Sequence, residues 1–417
     1  MAPVMLRRVA RGGVAGITGA GVSALAQFLL VVVVTRGFSR EQAGVFFTAT
    51  ALALMVSGVA KLDAGNGVIY FIARARTYGY RGMSGYIRAA LVPGVVVACV
   101  AGAVLSGELG FLAVALPFVV AADVLLAASR GFGTMRPTVC YDGILLPLAQ
   151  LGLVWLVRDP SWLGFAWGLP YVPVAVLAAL SLRGRVPRTP YLPGTGRDLW
   201  RYTAPRSVAG AIQAVFQRLD IVIVAMLGGP AQAAVYTAAT RFKVVGQLAN
   251  QGLSQAAQPL LVRALAAGDL ARARELYQAT TVWLVLLTWP VWLGYAALAP
   301  WLLRVFGSGY GSAVPIALVL SGTMMVATAC GMVDVVLTAA GHTTASLANL
   351  AIAVACTVVL DLALIPAHGA LGAVLGWSGG VLVKNLLPLW QIHQRYGLRP
   401  FGRHTLAALR VRSWAAA

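Results

Sequence analysis

The apolar residues of this chain come in blocks of about 20 separated by short polar breaks, and that spacing constrains the fold more than any single motif. A helix rising 1.5 Å per residue needs about that length to cross roughly 30 Å of hydrocarbon. Lipid offers no partner to an unpaired backbone group, so a spanning chain must be helical or a closed barrel. The alternating segments of about ten residues that mark an outer-membrane barrel are absent. Composition agrees: 59% of the 417 residues are hydrophobic and 11% are charged, against roughly 25% charged in an ordinary soluble chain. The expected fold class is therefore an all-α polytopic membrane protein with about 12 transmembrane helices.

The blocks place spans near 14–35, 44–73, 87–106, 109–129, 138–157, 162–182, 203–227, 231–262, 279–299, 313–340, 345–365 and 370–392. With a cytoplasmic N-terminus, 22 arginines fall in the tails and even-numbered loops, whereas the opposite loops hold only Arg36, Arg40, Arg158 and Arg304. The positive-inside rule then puts both termini in the cytoplasm. The net charge of +20 is thus a topology signal directed at membrane lipids, and no stacked aromatic platform points to nucleic acid. Arg7, Arg8 and Arg11 precede Ala24-Leu25-Ala26, which resembles a signal-peptidase site. The Gly-rich stretch between them makes a poor apolar region, so an uncleaved first span is expected. Cys99, Cys140, Cys330 and Cys356 show neither ligand spacing nor a disulfide pattern.

The longest break, Arg183 to Arg201, holds three prolines near the chain midpoint and reads as a linker. The expected organisation is an N-lobe at 1–182 (helices 1–6), a cytoplasmic linker at 183–202, and a C-lobe at 203–417 (helices 7–12 plus a basic tail). Two internal matches support a duplication. Gln42-Ala43-Gly44-Val45-Phe46-Phe47-Thr48-Ala49-Thr50 aligns with Gln232-Ala233-Ala234-Val235-Tyr236-Thr237-Ala238-Ala239-Thr240, and Asp123-Val124-Leu125-Leu126 aligns with Asp334-Val335-Val336-Leu337. Six spans return the chain to its starting side, so the two six-helix lobes are expected to be related by a pseudo-two-fold along the membrane normal.

An ionised residue at the centre of a spanning helix costs about 2.5–3.5 kcal/mol on insertion scales, so each needs a partner, a watery cavity or a function. Span two has Lys61, Asp63 and Asn66; span four has Asp123; span seven has Arg206, Arg218 and Asp220. Span eight has Arg241 and Lys243, span ten Asp334 and span twelve Lys384. At about 100° per residue, Arg206, Gly210, Gln213, Gln217 and Asp220 share one narrow stripe. Lys243, Gln247, Asn250, Gln251, Ser254 and Gln258 likewise share a face of span eight. Two polar stripes on adjacent spans suit a water-filled interior.

Each group also has a plainer reading. Arg206 either faces that interior or snorkels to the headgroups. Arg218 and Asp220 form a local pair or contact the transported ligand, and Arg241 either lines the lumen or pairs with Asp220. Lys61 and Asp63 point to opposite sides of an ideal helix and pair only if Gly65 and Gly67 mark a break. Asp63, Asp123, Asp220 and Asp334 are candidate ion-coupling sites, with structural hydrogen bonds as the alternative for the repeat-related Asp123 and Asp334. Lys384 is a lumen cation or an interface anchor.

Nothing points to catalysis, a cofactor or a metal. His342, His368, His393 and His404 have no carboxylate or cysteine at ligand spacing, and there is no phosphate-binding glycine loop of the Walker type. The opposite-side loops are short, with Glu41, Glu108 and Asp159 as their acids. A transporter is expected, and not an enzyme.

The run Thr35-Arg36-Gly37-Phe38-Ser39-Arg40-Glu41-Gln42-Ala43-Gly44-Val45-Phe46 resembles the Arg-Leu-Leu-Gly-x-x-x-(Phe/Tyr)-Gly turn of polysaccharide-transport flippases. That family belongs to the MATE-like MOP exporter superfamily. Phe38 and Ser39 replace its usual Leu-Gly, and Ala43 its usual aromatic. Gln217-Arg218-Leu219-Asp220, Leu227-Gly228, Ala234-Val235-Tyr236 and Gln258-Pro259 are similar to the family's seventh and eighth spans. Phe306-Gly307-Ser308-Gly309-Tyr310, Ala339-Ala340-Gly341-His342 and Ile365-Pro366-Ala367-His368-Gly369 continue the match.

The resemblance implies a V-shaped pair of lobes in a bacterial cytoplasmic (inner) membrane, moving a lipid-linked glycan between leaflets by alternating access. It implies as partners that glycan, glycosyltransferases or a polymerase, and Na+ or H+ for coupling. A diphosphate in a low-dielectric cavity needs positive charge. Lys61, Arg206, Arg218, Arg241, Lys243 and Lys384 against Asp63, Asp123, Asp220 and Asp334 give a cationic balance that suits it. The alternative is an ion-coupled small-molecule or multidrug exporter of the same fold.

Overall fold

The computed structural model describes residues 2–79, 82–186, 192–403 and 405, and the side chains of these except 2–17, 245–249, 251, 255 and 256. The described residues are helical with no strand. Ten segments are long and apolar enough to cross a membrane, and a bent helix pair makes an eleventh. The protein is a multi-pass membrane protein. Contacts divide it into two compact units, residues 1–222 and 223–417.

The first unit begins with α1 (Ala2–Gly37) and α2 (Arg40–Ala60). Ser39 terminates the turn between them: its Oγ accepts the Gln42 backbone N–H at 3.2 Å, and the Gln42 side chain accepts the Ser39 N–H at 3.0 Å. Two backbone donors left open by the start of the helix are thereby satisfied. The second span then breaks. α2 stops at Ala60 and α3 (Ala64–Tyr78) restarts beyond it, with Leu62 and Asp63 both in left-handed conformations, φ 51° and 52°. Gly65 and Gly67 are the positions at which a break would let Lys61 and Asp63 pair; the break falls earlier, on residues that carry side chains.

α4 (Met83–Val104), α5 (Ser106–Leu109) and α6 (Leu112–Gly131) follow. A π-helical stretch at Thr138–Leu145 leads into α7 (Leu146–Leu156), α8 (Leu163–Gly168) and α9 (Tyr171–Arg183). Small residues let these helices approach closely, as is usual where lipid removes the hydrophobic drive for association. A Cβ on Gly102 of α4 would lie 2.8 Å from the Ala113 carbonyl of α6.

α10 (Thr195–Phe216) starts inside the stretch expected to be linker, of which residues 187–191 lie outside the described residues. It packs on α2, α3 and α4. A Cβ on Gly58 of α2 would come within 2.6 Å of Ala214 Cβ, so the contact is tight. This packing is why the contact boundary falls at residue 222, whereas hydropathy puts the lobe boundary at 203. α10 and α11 (Leu219–Gly228) form the bent pair, at 46°.

In the second unit, α12 (Pro230–Thr240) and α13 (Lys243–Ala266) replace the single span expected at 231–262. Arg241 and Phe242 interrupt it and α13 is rich in amides, so this segment does not reach the apolarity of the other spans. Among the described residues ten or eleven segments therefore pass by length and apolarity, against the about 12 spans expected. α14 (Leu270–Arg304), α15 (Val314–Ala329) and α16 (Val333–Ala339) follow. α17 (Thr343–His368) and α18 (Ala370–Tyr396) make the most extensive helix contact of this unit. Gly372, Gly376 and Gly380 present a smooth face of α18 to Leu364, Asp361 and Thr357 of α17, where any added Cβ would collide. Buried hydroxyls close polar gaps nearby: Tyr295 donates to the Ala239 carbonyl at 2.7 Å, and Tyr277 donates to the Cys330 carbonyl.

Candidate functional site: charges at the helix breaks

Most of the intramembrane charges predicted from sequence cluster where spanning helices break. Backbone irregularity at membrane depth is tolerated where it is covered by protein or lines a cavity, so charge and break belong together physically.

At the α2–α3 break, Lys61 Nζ lies 2.9 Å from Asp123 Oδ2 of α6, and Arg206 Nε of α10 lies 2.9 Å from Asp63 Oδ2. Asn66 Nδ2 donates to the other Asp63 oxygen at 2.6 Å. Ser207 Oγ donates to the Leu62 carbonyl at 2.6 Å, occupying an acceptor that the break had released from the helix. The guanidinium of Arg206 also stands over the Tyr202 ring, 5.8 Å from its centroid. Lys61 and Asp63, neighbours in sequence, are thus tied to two different helices. Arg206 takes a partner that neither sequence reading had supplied.

At the bend between α10 and α11, Gln213 is half-buried and Gln217 exposed. Arg218 is half-buried and within electrostatic reach of Tyr171 and Asp220. Asp220 is 4% exposed, and its Oδ1 accepts the Ile221 N–H at 2.9 Å.

The second unit's break has Arg241 on one side and Lys243 on the other. The Lys243 ammonium lies 4.3 Å from the centroid of the Trp377 ring of α18 and 5.4 Å from that of Tyr236 of α12. Tyr236 is fully buried, so the cation rests on a rigid floor. Of the other stripe residues, the side chains of Gln247 and Gln251 lie outside the described residues, and Asn250 and Gln258 are exposed. Ser254 packs inward, its Oγ 3.1 Å from Met332 Sδ, so the stripe is not uniformly open. Asp334 accepts from Ser346 Oγ at 2.5 Å. Asp123 and Asp334, which align in sequence, therefore differ, Asp123 holding a lysine and Asp334 a hydroxyl. Lys384 is half-buried on α18.

Two acids escaped the sequence reading. Asp142 sits in the π-helical stretch, within electrostatic reach of Asp123, Arg130 and Lys61. Asp361 is fully buried on α17 against Gly376. The rule that flagged Asp123 applies equally to both. With them the intramembrane bases and acids are equal in number, which corrects the cationic balance expected from sequence. Asn349 and Gln391 were also missed; they exchange amide hydrogen bonds of 2.8 and 2.9 Å between α17 and α18.

The MatE family profile matches residues 205–365, less than half of the chain. No sequence relative was found among curated proteins. Solved structures are similar over nearly the whole length. An inward-facing multidrug resistance MATE family transporter of the MOP superfamily has a TM-score of 0.75 at 15% identity, covering 94% of this chain and 96% of that one. The lipid II flippase MurJ in an inward closed conformation has a TM-score of 0.72 at 11% identity, with 96% and 91% covered. A MOP superfamily transporter from Pyrococcus furiosus has a TM-score of 0.59 at 16% identity, with 93% and 95% covered. Architecture, span pattern and these likenesses converge: the chain has the fold of the MATE-type transporters of the MOP superfamily.

Proposed function

We propose that this chain is a flippase that carries a polyprenyl-diphosphate-linked oligosaccharide across the bacterial cytoplasmic membrane by alternating access, for surface polysaccharide synthesis. It moves its substrate without altering it, and both termini lie in the cytoplasm with the arginine-rich loops. The observation that carries the reading is Lys243. The ring faces of Trp377 and Tyr236 fix where the ammonium sits, and a cation so positioned suits a diphosphate or an acidic sugar. On the acid side, Asp63 and Asp123 are held by Arg206 and Lys61, and Asp361 is sealed between α17 and α18. Arg206, Arg218, Arg241 and Lys61, with Gln213, Gln217, Gln247, Asn250 and Gln251, would complete the polar path. Glycosyltransferases and a polymerase would act before and after the transport step.

A second reading is an Na+- or H+-coupled small-molecule exporter. The equal number of intramembrane acids and bases favours it, because Asp142 and Asp361 add acids to a set that already includes Asp220 and Asp334. Deleting the gene in its host separates the two. The flippase reading expects loss of surface glycan with drug accumulation unchanged, and complementation by wild type but not by Lys243→Ala. Intact surface glycan with raised drug accumulation selects the exporter instead.

A further inference from the structure

On the arginine-rich side of the first unit, the end of α3 and the starts of α4 and α10 enclose a cavity of about 540 Å³. It is lined by Phe71, Arg74, Tyr86, Asp198, Arg201 and Tyr202. None of the acids and bases at the helix breaks belongs to it. Its walls are aromatic and preorganised. Tyr202 stacks on Tyr70 with centroids 4.6 Å apart and planes within 8°, and Phe71 stacks on Tyr86 at 4.7 Å and 15°. Tyr202 also meets Phe71 edge to face at 5.8 Å, so four rings from three helices form one continuous block. Arg74 and Arg201 are both exposed, and among the described residues neither has an ion-pair partner.

We infer that this cavity is a docking site for the diphosphate and first sugar of a lipid-linked glycan on the cytoplasmic side, an inference that rests on the flippase reading. Three features select that chemistry. Two guanidiniums offer planar forks that match phosphate oxygens in pairs. The ring faces carry partial negative charge, which suits the polarised C–H face of a sugar. Asp198, an acceptor-only carboxylate, would repel a bare anion but can accept hydrogen bonds from sugar hydroxyls. The volume lies within the roughly 300–1,000 Å³ common for small-ligand sites, and the position at the cytoplasmic ends of the helices is where such a headgroup arrives by diffusion in its leaflet. The ligand is therefore expected to meet Arg74 and Arg201 first and Lys243 later.

The test uses the full chain in phosphatidylglycerol nanodiscs, with equilibrium binding of three probes: farnesyl-diphosphate-linked N-acetylglucosamine, farnesyl diphosphate, and inorganic pyrophosphate. The sugar-bearing probe should bind tightest. Arg74→Gln with Arg201→Gln should weaken it by about tenfold or more, as losing hydrogen bonds to a charged group does, and the double lysine variant should recover part of the loss. Asp198→Asn should narrow the preference for the sugar-bearing probe over farnesyl diphosphate. Gel filtration and melting of each variant show that it is folded.

Unchanged binding in the double glutamine variant overturns the site, and so do equal binding of sugar-bearing and sugar-free lipids or displacement of the probe by phosphatidylethanolamine added to the disc. Failure of the flippase reading has a different signature. Glycan export that survives deletion of the gene sinks that reading, whereas loss of export in Lys243→Ala with normal export in Arg74→Gln and Arg201→Gln removes only the docking site.

Discussion

In the first unit the second span runs on to Ala60, and the charges that follow are each held by an opposite charge, Lys61 by Asp123 and Asp63 by Arg206. In the second unit the equivalent stretch stops at Thr240, the residue that the repeat aligns with Thr50, and the lysine beyond the break is set on the faces of Trp377 and Tyr236. Both units hold a broken span with charge at the break, at positions ten residues apart in the sequence alignment, and the contacts around the two sets of charges differ. A counter-ion neutralises a cation and fastens one helix to another. An aromatic face attracts a cation, by up to about 2 kcal/mol when desolvated, and fixes where it sits. The first break is accordingly a joint between helices, and under the flippase proposal the second is the contact for cargo.

Reversing the charge at the second break should have the largest effect. Lys243→Glu is expected to cut glycan export by about a hundredfold or more, because like charges placed together cost several kcal/mol. Protein abundance in the membrane should stay normal, and Lys243→Arg should retain export. Wild-type export from Lys243→Glu would erase the distinction between the two breaks.

At the first break the expected phenotype is one of assembly. Asp63→Arg or Arg206→Asp alone should lower the melting temperature in detergent, and the double swap should restore it. The pair itself contributes about 1 kcal/mol or less, since the Arg206 side chain is 53% exposed and screened. A swap that melts no higher than either single variant would show that the pair is not the joint.

Asp123→Asn should be milder still, because both side chains of its pair with Lys61 are more than 40% exposed and such pairs contribute about 0.2–1 kcal/mol. Export should change little. A loss of export comparable to that of Lys243→Glu would instead assign Asp123 a part in transport.

Leu62→Gly should be smallest and of opposite sign. A non-glycine residue in the left-handed region costs about 1–2 kcal/mol, of which glycine's greater freedom in the unfolded chain gives back about 0.5–1 kcal/mol. A slight rise in melting temperature is the expected reading, and a fall would mean that the Leu62 side chain contributes packing that outweighs the strain.

Much of the candidate site was legible as chemistry that lipid should not contain. Lys61, Asp63, Asp123, Lys243 and Asp334 stand out from apolar surroundings on any reading, and Asp142 and Asp361 stand out equally by the same rule, although they were passed over. What the sequence did not disclose was pairing. Lys61 and Asp123 are 62 residues apart, and Arg206 and Asp63 are 143 apart. Only an ideal helix through residues 61–63 would set Lys61 and Asp63 on opposite sides. There the backbone turns left-handed, so the angular positions deduced for the two charges do not apply.

By itself the sequence determined that this chain is helical and crosses a membrane many times, because hydropathy and periodicity are local properties of the chain. Only the tertiary structure decided where the spans break, that α10 packs on α2, α3 and α4, that Lys243 rests on Trp377, and that three aromatic rings and two arginines line one cavity. Each of these depends on which helices lie side by side, and that is set by the fit of small residues and buried polar groups from distant parts of the chain.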